Sequence, residues 1–185
     1  MTGDPISYQD WGADFFRIAV SEERILGAVR QLAGRPIEFG PLGVGPGRLA
    51  QVTAKGDVGE PTCEPIAGDH VAFRIQVPAH VEFDLDLGVN KPHFSVDLVI
   101  PIVATARAMP DLVMAIDARP PTPSELEMKV RAHGLSATFV SAAADVEGEL
   151  RKFVAKFVAR EINKPEVVAA RTIDVRSRLD RAWKA

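Results

Sequence analysis

The chain has 185 residues, is 46% hydrophobic and 25% charged, and carries a formal net charge of −3 with a single cysteine. A chain of this length buries a core without staples. The lone Cys63 excludes an intrachain disulfide, and with only four histidines it argues against a zinc site. Net acidity and an aromatic content of 6% argue against nucleic acid as a partner.

Cysteine usage predicts a reducing compartment. The opening residues MTGDPISYQDWGADFF carry acid and no long apolar run, unlike a secretory signal. No stretch approaches the roughly 18 apolar residues of a membrane helix, so the expected location is cytoplasmic. Charge is uneven along the chain. Residues 1–90 carry 7 Lys+Arg against 13 Asp+Glu, and from Arg151 onward there are 10 against 4. That basic end suits peripheral contact with an anionic membrane; a solvated helix face is its plainer reading.

Residues 1–20 read as an N-terminal arm or a short helix. Ser21 is a good N-cap for a helix over 21–34, with Glu22 and Glu23 in its first turn and Val20 and Ile25 as a hydrophobic staple. Gly34 fits a left-handed terminator. Strands are expected across 35–140, with Glu60–Asp69 as a loop. The run VAFRIQVPAHVEFDLDL, Val71 to Leu87, is apolar at every odd position through Pro78. Phe94, Val96, Leu98, Ile100, Ile102 and Ala104 alternate again through Pro101. Shorter alternations follow at Leu112–Ile116 and Leu126–Ala132, separated by the rigid RPPTPS loop. The period then becomes helical. Val146, Leu150, Phe153, Val154, Phe157, Val158 and Ile162 define the main helix, 145–162, ended by Asn163-Lys164-Pro165. In the tail, 163–185, RTIDV reads as a strand and RSRLDRAWKA as a short amphipathic helix.

The expected fold is therefore a single α+β domain: a long bent antiparallel sheet wrapped around a long amphipathic C-terminal helix, with an N-terminal helix. A 17-residue strand spans about 56 Å at ~3.3 Å per residue. A helix over 145–162 is about 27 Å long at 1.5 Å per residue. Internal prolines predict bulges or edges that bend the strands. One helix cannot cover so long an apolar face, so the remainder calls for the other helix, a partner or an apolar ligand.

This order of elements over residues 21–176 resembles the tubular lipid-binding (TULIP) superfamily, with NKPEVVAARTIDV returning as an extended segment. The resemblance is architectural and brings no catalytic motif. It implies long bent strands coiled around a helix and a lipid held in the groove. The helix-grip fold of the START type is a second resemblance of the same kind.

Chemical motifs are weak. GPGRLA, Gly45 to Ala50, fits a dinucleotide fingerprint, but the residues after it are β-branched and broken by glycine. No Walker lysine or G-x-S-x-G elbow occurs. Glu82, Asp84 and Asp86 share one strand face and read as a solvated acidic surface. His70 and His80 are about 33 Å apart on a straight strand, too far to share a metal. The expectation is a protein that is not an enzyme and needs no cofactor or metal, carrying a lipid or other apolar small molecule. Its groove is expected to be lined by Phe73, Ile75, Val77, Phe83, Leu85, Phe94, Val96 and Leu98 on the strands and by Phe153 and Phe157 on the helix. The alternative is an interaction or scaffold module that pairs with a partner, or as a homodimer, through the same face.

Overall fold

The computed structural model describes residues 4–31, 34, 36–44, 50–86, 88, 91–133 and 140–184. In chain order these form α1 (Tyr8–Ala19), α2 (Glu22–Arg30), β1 (Pro36–Val44), β2 (Ala50–Val58), β3 (Thr62–Ile66), β4 (Ala72–Asp86), β5 (His93–Met109), β6 (Val113–Arg119), β7 (Glu127–His133), α3 (Val140–Ile162), α4 (Pro165–Ala170), β8 (Thr172–Asp174) and α5 (Val175–Ala182). The fold is α+β, a curled antiparallel sheet with helices.

The two long strands organise everything else. β4 and β5 pair without a register shift from Ala72↔Thr105 to Asp84↔His93. On the other side of β4, β2 pairs with Ala79–Asp86 and β3 with Ala72–Gln76. On the other side of β5, β7 pairs with His93–Val99 and β6 with Val103–Met109. Both handovers fall at the prolines. Gly59 N–H donates to the Pro78 carbonyl at 2.9 Å, so the nitrogen of Pro78 also points away from β5, into the break between β2 and β3. By the same alternation Pro101 faces the break between β7 and β6. The missing N–H groups fall where no ladder strand runs, and neither proline makes a bulge in the central pairing. This corrects the expectation of bulges at these positions.

The handover divides the apolar face into two cores. Phe73, Ile75, Val77, Cys63, Ala104 and Met114 form one with Val20 and Ile25, and α1 and α2 cover it through Phe15, Phe16, Leu26 and Val29. Ala79, Val81, Phe83, Phe94, Val96 and Leu98 form the other with Ala54, and α3 adds Leu150 and Val154. Ile100 packs against both. A long helix enclosed by the sheet is therefore not what fills the interior. The described side chains of α3, 147–162, span about 24 Å, roughly half of β5, and two helical layers share the face instead.

Local details follow the sequence unevenly. Residues 8–19 are helical, with Ser7 accepting from Asp10 N–H at 3.0 Å as N-cap. Ser21 caps α2, and its staple partners Val20 and Ile25 are 2% and 7% exposed. Gly34 has the left-handed φ of +70, but α2 has already ended at Arg30, and its N–H bonds Val58 O instead. The expected loop 60–69 contains β3. Pro65 disguised it, yet proline is tolerated because this strand lies on an edge. The expected extended run after Asn163 opens instead as α4, for which Pro165 supplies a pre-set first position. After β5, Asp111 and Leu112 hold φ of +60 and +57. Left-handed backbone at non-glycine residues costs on the order of 1–3 kcal/mol each.

The separateness of the two cores has a measurable consequence. Ile25→Val should cost about 0.5–1.5 kcal/mol and Leu98→Ala about 2–5 kcal/mol. In urea titrations their effects should add in the double variant to within about 0.5 kcal/mol; a larger coupling would mean one continuous core. A pH effect is expected at the turn before β7. The Arg119 side chain and the Thr122 N–H and hydroxyl hold the Glu125 carboxyl at about 2, below an ordinary 4.5. Its contribution is complete above about 4.5 and fades as pH falls toward 2. Glu125→Gln should flatten the stability–pH profile across that window, read by thermal melts at stepped pH.

Candidate functional site

Nine of the ten expected lining residues have described side chains. Phe73, Ile75 and Val77 lie in the first core at 4–6% exposure, and Phe83, Phe94, Val96 and Leu98 in the second at 0–5%. Leu85 pairs with Val52 in register; its side chain lies outside what is described. Phe153 and Phe157 are half-buried and stack at 6.3 Å, with the Arg160 guanidinium 5.3 Å from the centre of the Phe157 ring. The apolar stripe is therefore roofed by helices, and open space lies at its margins.

Two clefts open there. The first, about 710 Å³, lies between α1 and the facing ends of β4 and β5. Phe16, Val20, Ile66, Val71, Phe73 and Ala106 give it an apolar wall, and Arg17 and Arg107 stand in its lining. Its roof, α1, has no buried residue and holds on through half-buried Phe15, Phe16 and Ala19. Such an element sits at the low-stability end of a fold. Among the expected lining residues, Phe73 borders this cleft. The signal for the others was the same alternation, which marks core and pocket wall alike.

The second cleft, about 720 Å³, lies at the handover and reaches around it to the outer face of the sheet. It is bordered by Pro78, His80, Asp97, Leu126 and Lys129, with Arg151 donating to the Leu126 carbonyl. Here the pairing register assembles polar rows. His80 Nδ1 lies 2.7 Å from Asp97 Oδ1, and Arg131 Nη1 donates to Asp97 Oδ2 at 2.6 Å. The His80 hydrogen bond chiefly, with Arg131 in support, holds the Asp97 carboxyl below its ordinary range against the opposing effect of burial. Four residues along β5, His93 faces His133 with ring centres 5.4 Å apart. His93 Nδ1 contacts Asp84 at 2.8 Å and Ser95 Oγ bonds His133 Nε2 at 2.9 Å. No local motif announces these groupings, because they depend on the registers of β4, β5 and β7.

Glu82 and Asp84 are exposed, as a solvated acidic face requires. Lys91 pairs with Asp86 at 2.8 Å and, with the Gly88 N–H, lowers its pKa. Among the described residues no group of three or more His, Cys, Asp or Glu is placed to hold a metal ion. Residues 45–49 of the GPGRLA segment lie outside the described residues, and Ala50 opens a strand where a dinucleotide fingerprint needs a helix. Cys63 is buried against β4, and burial, then Glu22 and Glu64, push its thiol pKa up, so it is a poor nucleophile. No described helix is long and apolar enough to cross a membrane. No family model matches the chain, and no curated protein matches it either.

Proposed function

We propose that this protein binds a lipid or another apolar small molecule without chemical turnover, in the cleft beneath α1. The observation that carries the reading is the pairing of an apolar wall with a weakly held roof. A cleft of about 710 Å³ falls within the ordinary range of small-molecule sites. Its apolar side chains favour a hydrocarbon body, and the mixed charges of Arg17, Glu22, Asp69 and Arg107 at its rim favour a polar head. The ligand lies between α1 and the Phe73–Ala106 floor, and entry requires α1 to lift. The floor stays in place because Phe73 and Ala104 pair in the uninterrupted central ladder. The resemblance to tubular lipid-binding domains points to the same class of cargo, here at one end of the strands rather than along their length.

Protein prepared from cells should carry a co-purifying amphiphile by native mass spectrometry. Ala13, on the cleft side of α1, supplies the matched variant. Ala13→Trp should fill the space and reduce occupancy at least tenfold with unchanged far-UV circular dichroism. A persistent apo mass, with nothing apolar in an organic extract, would overturn the reading.

One observation favours an interaction module as the second reading. Tyr8, Trp11 and Ile18 on α1 are 97%, 60% and 70% exposed. If that face joins two copies, sedimentation equilibrium should show a dimer that Trp11→Ser and Ile18→Ser together convert to monomer. A monomer at high concentration for the unmodified chain removes this alternative.

A further inference from the structure

We infer that the end of the molecule formed by the β5–β6 turn and α5 docks on an anionic lipid bilayer. α5 is amphipathic. Val175, Leu179 and Trp183 fall at i, i+4 and i+8 on one face, with Arg176, Arg178, Arg181 and Lys184 around the remainder. Val175 packs against the first core, while Leu179 and Trp183 continue its stripe past the protein at 45% and 87% exposure. Among the described residues the far end of this stripe is left exposed. The β5–β6 turn adds Met109 and Leu112, at 50% and 57% exposure. The left-handed backbone at Asp111 and Leu112 is strain kept at an exposed tip, as at functional surfaces. Arg176 binds Asp111 at 3.1 Å and so fixes the helix beside this turn.

The occupant follows from charge and side-chain type together. Residues 171–185 hold five Arg and Lys against Asp174 and Asp180, and Asp174 is engaged in capping α5. Exposed Trp and Leu flanked by arginines suit the headgroup–acyl boundary of a membrane, where the ring is half in lipid and the guanidiniums meet phosphate. The opposite end of the long hairpin carries Glu82, Asp84 and Asp86. About 55 Å of strand separates these poles, and the far end's carboxylates are matched by Lys55 and Lys91, so a negative surface attracts the α5 end alone. The first cleft includes Arg107 and Ala108, next to the docking turn on β5. In that respect the inference extends the proposed function, because cargo would enter close to the bilayer, but docking does not require that the cleft be filled.

Vesicle co-sedimentation tests it on the full chain. Vesicles of phosphatidylcholine with 30% phosphatidylserine should pellet the protein, and phosphatidylcholine alone should pellet at least tenfold less. Arg178→Glu with Arg181→Glu should lose at least tenfold in binding, as should raised salt. In a Trp11→Phe background, Trp183 is the only tryptophan left, and its emission should shift to the blue on the anionic vesicles. Far-UV circular dichroism checks that the variants are folded. Ala13→Trp should leave vesicle binding unchanged, which separates failure of docking from failure of cargo binding. Equal binding to both vesicles, no binding by folded protein, or indifference to the charge reversal overturns the inference.

Discussion

The unbroken antiparallel ladder between β4 and β5 is the constraint on which the rest of the structure depends. Ala72 through Asp84 find partners in one register, and every other strand except β1 and β8 is attached directly to this pair. Because side chains alternate with a period of two, a single-residue slip would turn one of the two apolar runs to the outside while the other stayed in. The ladder is long, but its outer partners are short. The sheet therefore changes neighbours halfway, and proline, with no N–H to give, is suited to the site of the change. Gly59 supports this arrangement by bonding the Pro78 carbonyl from the end of β2.

From that change of neighbours come both the division of the interior and the placing of open space. Each half of the hairpin carries its own helical cover, joined through Ile100. Clefts remain where a cover ends: one beneath α1, the other beside the handover. The face away from the helices takes the remaining side chains of the same strands. Its histidines and carboxylates meet because Asp57, His80, Asp97 and Lys129 share one row across four strands. An antiparallel sheet with one wet face can carry such rows at little cost, since water satisfies what pairing leaves over.

The sequence made the long strands legible for a simple reason: alternation over so many residues has no helical explanation. The N-cap and staple around Ser21 were equally readable, because capping is local chemistry. β3 was hidden by Pro65, whose usual meaning is reversed on an edge. α4 was hidden because its valines suit a strand as well as a helix, and Pro165 reads equally as the end of α3. The site was less legible than the fold. Phe73 and Phe83 carry the same alternation signal, yet Phe73 borders a cleft and Phe83 is enclosed. What distinguishes them is how far a helix from elsewhere in the chain reaches, and that is a tertiary fact. The pairing of His93 with His133 depends likewise on a register set between residues forty apart.

The free margins of the sheet show a further property. β1, the last described strand on one side, begins with Pro36 and contains Pro41, so two of its positions carry no N–H to donate. β8 closes the other side with only three residues, β3 is five residues long and includes Pro65, and α3 packs along β7. A second chain seeking to extend the sheet would meet a proline or a short stub at β1, β3 and β8. Stacking into fibrils is thereby discouraged in a molecule whose central ribbon, if bared, would be an excellent template for it.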